Sequence, residues 1–183
     1  MPAAPRPFTL QPHPATPCAA ARALTASVAP GPDGGWHLRF TLAGDPARLR
    51  IPAPAKRPVA ADGLWRQTCF EAFVGDPRNA RYHEFNFSPS GEWAAYIFSA
   101  ERLRDADAAP LPAPRIACAR AADALRLDAE LPAAALPAAK DGWLLGLSAV
   151  LEADDGRLSY WALSHPAARP DFHRRDGWIA YPT

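Results

Sequence analysis

Proline sets the strongest limit on what this chain can become. There are 22 prolines in 183 residues, against about 5% in an average protein. A proline inside a helix costs roughly 3 kcal/mol, because it lacks a backbone N–H and clashes with the preceding turn. A bundle of long helices is therefore ruled out, and short strands joined by many turns remain. Alanine dilutes the apolar content, since it supplies 41 residues and buries little area. The core must come from the rest, which is rich in aromatic rings: six Trp, eight Phe and four Tyr. The length suits one domain able to bury a core without disulfide staples.

The apolar residues outside the loops recur with a period of two, the signature of half-buried strands. Leu24, Ala26 and Val28 alternate with Thr25 and Ser27; Trp36, Leu38, Phe40 and Leu42 alternate with His37, Arg39 and Thr41. GPDGG at 31–35 turns the first of these runs back onto the second. In the middle, residues 68–74 place Phe70, Ala72 and Val74 on one face and Cys69, Glu71 and Phe73 on the other. Residues 82–88 set His83, Phe85 and Phe87 against Tyr82, Glu84 and Asn86. Trp93, Ala95 and Ile97 alternate with Ala94, Tyr96 and Phe98. GDPRNAR and SPSGE turn the chain between these runs, which predicts a three-stranded meander. Leu125, Leu127, Ala129 and Leu131 mark a further strand, residues 143–152 and 158–164 a hairpin across ADDGR, and WIAY a last strand. Residues 49–63, 104–115 and 132–142 read as loops, with room for one helical turn at 133–139 between Pro132 and Pro137. Nine to eleven strands at this spacing predict an all-β sandwich of two antiparallel sheets with few short helical turns. Residues 1–18 read as an extended N-terminal segment ahead of a single domain over 19–183.

Charge and cysteine usage remove several functions. Twenty basic and nineteen acidic residues leave a net charge of +1, and no basic run exceeds two residues. Nucleic-acid binding needs a concentrated positive face, so none is expected. Cys18, Cys69 and Cys118 are odd in number and form no CxxC, which predicts reduced thiols rather than disulfides or a zinc knuckle. The first 17 residues lack the apolar stretch of a signal peptide, and no segment is apolar enough to span a membrane. The expectation is a cytoplasmic protein.

The meander brings the chemistry together. A register opposing Glu71 to Glu84 keeps the core residues on one side, and the next hairpin brings Glu84 to Tyr96. Glu71, Glu84, Asn86 and Tyr96 then share one face. A face with carboxylates in mid-strand is either the solvated side of a sheet or the floor of a binding groove. Carboxyl pairs roughly 5–9 Å apart hydrolyse glycosides, and opposed strands hold Cβ atoms roughly 4.5–5.5 Å apart; the same pair can instead bind arginine or sugar hydroxyls. Trp36 and Trp93 fall on the apolar side of their strands and read as core. Trp65, Trp161 and Trp178 stand beside polar loops, where an indole can stack on the apolar face of a sugar. A Ser88 or Ser90, His165, Asp171 triad is rejected because no GxSxG elbow is present. His165, Asp171 and His173 follow no HxH or HExxH pattern, so no metal site is assigned. Asp154, Asp155, Asp171 and Asp176 lie in loops without a DxDxDG pattern, which leaves a structural calcium open.

Four ordered blocks carry a resemblance: LWRQTCFEAF (64–73), YHEFNFSPSGEWAAYIF (82–98), SYWALSHP (159–166) and PDFHRRDGW (170–178). Together they resemble the bacterial DOMON-like proteins, relatives of the family 9 carbohydrate-binding modules. The resemblance runs from about residue 20 to the end of the sequence. It implies a two-sheet β-sandwich with a ligand site on one concave sheet face, where relatives bind sugars or haem. It implies Trp65, Trp161 and Trp178 as stacking rings and Glu71, Glu84 and Asn86 as hydroxyl binders. His165, Asp171 and His173 would line the adjacent loop. The only methionine is Met1, so the Met/His ligation of the cytochrome branch is absent and haem would need two histidines. The expectation is a non-catalytic domain binding a small carbohydrate-like ligand, such as a cytosolic sugar, a nucleotide sugar or a cell-wall precursor. The alternatives are a haem-binding module using His165 or His173 and a carboxylate-pair glycoside hydrolase. No cofactor is assigned.

Overall fold

The computed structural model describes residues 6–182. Met1 and the rest of residues 1–5 in the predicted N-terminal segment lie outside the described residues. The described chain forms twelve strands and five single 3-10 turns, with no α-helix. The strands are β1 (Arg6–Pro12), β2 (Ala21–Pro30), β3 (Trp36–Gly44), β4 (Cys69–Gly75), β5 (Tyr82–Phe87) and β6 (Trp93–Ala100). They continue with β7 (Leu103–Arg104), β8 (Arg115–Arg120), β9 (Ala124–Leu131), β10 (Trp143–Glu152), β11 (Leu158–Ala162) and β12 (Ile179–Tyr181). All pairings between these strands are antiparallel.

The first sheet runs β1-β2-β3-β9-β8, and the second runs β7-β6-β5-β4-β10-β11, with β12 added beside β10. Strand β1 belongs to both. Arg6 to Leu10 pair with β2, and Gln11 and Pro12 then pair with β11. Part of the predicted N-terminal segment is thus the seam of the two sheets. The inner faces hold the alternating residues read from the sequence: Leu38, Phe40 and Leu42 from one sheet, Phe70, Ala72 and Val74 from the other, all fully buried. Phe40 meets Phe70 with ring centroids 5.2 Å apart, and Trp36 meets Trp143 at 5.0 Å.

The meander forms with one correction to its register. Glu71 stands opposite Asn86, Phe73 opposite Glu84, and Glu84 opposite Tyr96. The predicted Glu71–Glu84 opposition is off by two residues. The turn is longer than the opposition requires: residues 76–81 all lie outside the ladder between Gly75 and Tyr82. Asp76 accepts hydrogen bonds from the Arg78 backbone N–H (2.8 Å) and guanidinium, and Asn79 accepts from Arg81 N–H (2.9 Å), which holds the wider loop. A shift of two preserves the faces, so the core set survives. Two strands lie where the sequence shows no alternation. Strand β8 is a sheet edge with most of its residues exposed, and β7 has only two residues, both exposed. Trp93 is half-buried rather than core, because β6 runs near the edge of its sheet.

Strands β4 and β5 are buried along their whole length, on both faces. The outward face of the second sheet is therefore not solvated. A second cluster covers it, in which Leu64, Cys69, Phe73, Tyr82, Tyr96 and Phe98 pack with Phe172 and Trp178. Two loops provide the cover: the segment around Leu64–Arg66, and the segment from 164 to 178.

Candidate functional site

Between those loops and the outward face lies a cavity of about 550 Å³. Glu71, Phe73, Glu84, Tyr96, Phe98 and Val150 form its floor. Asp62, Trp65 and Arg66 wall one side, and Asp171, Phe172 and His173 the other. Arg102 and Arg104, from the β6–β7 reversal, stand at the rim.

Local sequence explains how each wall is held. Gly63 enters the 3-10 turn at φ +75°, a left-handed conformation that suits glycine. The turn splits the LW pair: Leu64 is buried, whereas Trp65 is 47% exposed at the mouth with the Arg66 guanidinium 5.0 Å from its ring centroid. The opposite wall is pinned by Trp178. Its ring lies 5.6 Å from Phe73 and 5.2 Å from Tyr82, and its Nε1 donates to the Phe172 carbonyl at 2.9 Å. This ring sits directly on β10, where a Cβ on Gly146 would come within 2.6 Å of Trp178 Nε1.

The polar groups form linked sets. Asn86 donates its amide to Glu84 Oε1 at 2.7 Å. Tyr82 accepts from the Arg102 backbone N–H at 3.1 Å and lies 2.6 Å from His173 Nδ1. Burial pushes the Tyr82 phenol up to about 12, so it keeps its proton, and the phenol and Nδ1 share one hydrogen bond. His173 Nε2 then faces Glu84 Oε2 at 3.7 Å. Burial, aided by the charge of Arg102, pushes His173 down to about 4. It is neutral at pH 7 and makes no ion pair there. Burial raises Glu84 to about 7 and holds Glu71 well above the carboxylate range, with the Glu84 charge adding to the effect. At the rim, Arg102 pairs with Asp171 at 2.7 Å, Tyr96 donates to Asp62 at 2.6 Å, and Arg104 lies 4.1 Å over the Tyr96 ring.

The structure brings Trp65, Glu71, Glu84, Tyr96, Asp171 and His173 to one cavity. It does not bring the other four predicted residues there as lining. Trp161 is only 4% exposed and packs in the inner core, its Nε1 donating to Ser159 Oγ at 3.1 Å. Trp178 supports the wall from behind. Asn86 is fully buried beneath Glu84. His165 lies elsewhere, against the Gln11 carbonyl (2.8 Å) and the His13 ring. The sequence reading missed Asp62, Arg102, Arg104 and Phe172. Arg102 sits at φ +59° in a reversal without glycine or asparagine, so no turn signal marks it.

The cofactor alternatives fit poorly. A haem held by two histidines needs both to face one cavity, but among the described residues only His173 lines this one, and its Nδ1 is engaged by Tyr82. Three of the four loop aspartates considered for calcium are taken by arginines: Asp155 by Arg157 (2.6 Å), Asp176 by Arg174 (2.6 Å) and Asp171 by Arg102. Among the described residues, no three His, Cys, Asp or Glu side chains converge to hold a metal ion. Nor is any described helix long and apolar enough to cross a membrane.

No protein-family model matches the chain, and no curated protein does. Solved structures do. A presumed carbohydrate-binding protein from Bacteroides uniformis is similar over 92% of this chain and 83% of its own, with a TM-score of 0.57 at 15% identity. A family 9 carbohydrate-binding module from Caldicellulosiruptor kristjanssonii, solved in complex with cellotriose, is similar over 84% of this chain and 72% of its own, with a TM-score of 0.48 at 12% identity. At such identity the first likeness establishes a shared β-sandwich fold.

Proposed function

We propose that this chain is a non-catalytic β-sandwich that binds a small carbohydrate or sugar derivative in the cavity on the outward face of the second sheet. One observation carries the reading. A sheet face buried by loops still keeps a cavity of about 550 Å³ in which aromatic rings and carboxyl groups face each other. That size falls within the roughly 300–1,000 Å³ of small-molecule sites. Trp65 at the mouth offers a flat indole to the apolar face of a sugar, and Glu71, Glu84 and Asp171 offer oxygens to its hydroxyls. The fold shared with the Bacteroides uniformis protein supports the same class of ligand.

Titration calorimetry of the wild type and two variants against monosaccharides, disaccharides and nucleotide sugars tests this. Trp65→Ala removes an exposed ring, so stability should stay within about 0.5 kcal/mol of wild type while affinity falls about tenfold. Glu84→Ala should weaken binding at least as much, with the circular dichroism of the fold retained. Unchanged affinity in both variants would overturn the site. Release of reducing sugar from a glycoside would replace binding with hydrolysis by the carboxyl pair.

A further inference from the structure

Among the described residues, no arginine or lysine forms a salt bridge with the carboxyl groups on the floor of the cavity, and the one imidazole near Glu84, His173 at 3.7 Å, is neutral at pH 7. Glu71 is 2% exposed, lines the cavity, and its Oε1 makes no hydrogen bond among the described residues. Ser148 stands opposite Glu71 in the β10–β4 ladder. Its hydroxyl can donate once, whereas a carboxylate has about four acceptor positions. Glu84 receives one amide hydrogen bond from Asn86. Among the described residues, no guanidinium is in direct contact with either group, although Arg102 and Arg104 act on Glu84 from a distance. Arg102 is paired with Asp171, Arg104 lies over Tyr96 with Asp62 at 3.7 Å, and Arg66 lies beside Trp65. All three are at the rim, and Arg102 and Arg104 have side chains more than half exposed, where water screens them. The buried floor and the screened rim therefore differ in the charge they invite. Leaving buried acceptors without donors is costly, and donors from a ligand would relieve that cost. Phe73 and Phe98, around the same floor, add rings that favour a cation over a neutral group.

We propose that the ligand carries a protonated amine seated between Glu71 and Glu84, so that the substrate class is the amino sugar rather than the neutral sugar. This rests on the carbohydrate reading above. An ammonium group has three N–H donors, enough to satisfy Glu71 Oε1 and reach Glu84 together, while the ring carbons of the sugar lie toward Trp65.

The experiment is calorimetry of the full chain with glucose, glucosamine and N-acetylglucosamine. It is run at about pH 6.5, below the roughly 7.7–8.0 of an α-amino group. The expected result is glucosamine bound more than tenfold tighter than glucose, with the preference lost on N-acetylation. Glu71→Gln keeps the shape but cannot ionise beside a bound ammonium, and should bring the glucosamine-to-glucose ratio toward one. Glu84→Gln is the second variant should Glu71→Gln melt at a lower temperature. Glucose bound as tightly as glucosamine overturns the amine proposal and leaves the carbohydrate reading standing. Binding of none of the three, nor of any sugar in the wider panel, removes the carbohydrate reading itself. A ratio unchanged in both folded variants places the amine elsewhere and overturns the assignment to this floor.

Discussion

Glu84 and His173 are neighbours that answer acid in opposite senses. Glu84 titrates near 4.3 in an unfolded chain but is raised to about 7 here by burial. Between those values the folded chain holds a proton that the unfolded chain has released. The stability associated with Glu84 is therefore complete below about pH 4.3 and lost as pH rises through about 7. His173 is lowered from about 6.5 to about 4, again by burial first. Its contribution is complete above about pH 6.5 and lost as pH falls toward 4. Each effect is on the order of 3 kcal/mol at full extent, so in wild type the two slopes largely offset. Single substitutions should separate them. Relative to wild type, Glu84→Gln should gain stability as pH rises from about 4.5 to 7. His173→Asn should gain on acidification below about pH 6.5. Urea unfolding at a series of pH values measures both, and profiles parallel to wild type would show that neither residue feels its surroundings as described.

Among elements, the outward wall depends on a contact between a ring and a bare strand. The 164–178 segment has no regular structure of its own apart from the turn Arg175–Gly177, so side-chain anchors locate it: Trp178 lying on Gly146, with Asp171 on Arg102 and His173 on Tyr82. Gly146→Ala would drive a methyl group to within 2.6 Å of Nε1 and 2.7 Å of Cδ1, and overpacking of that kind costs roughly 1–3 kcal/mol. The expected outcome is a lowered melting temperature together with weakened ligand binding, since Asp171 and His173 sit on the displaced segment. A variant that melts earlier but binds normally would separate the wall from the site. The same element shows how far the sequence could be read. Residues 170–178 stood out as a block, but nothing in PDFHRRDGW tells which ring faces the ligand and which faces the strand. Alternation identified β2 to β6 and β9 to β11 because each has one face toward the inner core. It also grouped Glu71, Glu84 and Tyr96 on one side, since the two-residue register change keeps the faces. It could not find β1, β7 or β8, where a sheet junction, a two-residue strand and an exposed edge leave no apolar rhythm. Nor could it separate Trp65 from Trp161: both adjoin polar residues in sequence, and only the partners of β11 bury the second.

At the scale of the molecule, β1 is hydrogen-bonded into both sheets, which predicts that they unfold as one cooperative unit. Its first half extends the first sheet beside β2, and Gln11 and Pro12 extend the second beside β11. Leu10, immediately before the crossing, is fully buried in the core shared by Phe40 and Phe70. Removing its side chain leaves a cavity next to the seam, and a buried Leu→Ala change costs roughly 2–5 kcal/mol. The loss should fall on both sheets at once. Far-UV circular dichroism and tryptophan fluorescence of Leu10→Ala should therefore shift together in a single transition, as expected of a two-state domain of this size. Ile116→Ala, at the half-buried position of the otherwise exposed edge strand β8, serves as the comparison and should cost much less. Cavity formation alone would lower the midpoint without changing the number of transitions. Two separated transitions in Leu10→Ala would show that the sheets fold independently and that β1 only bridges them. A ligand cavity built entirely on the second sheet would then survive disruption of the first, so added ligand would raise the later transition alone. With the sheets coupled, ligand raises the one common midpoint, and the first sheet acts on binding only by holding the second in shape.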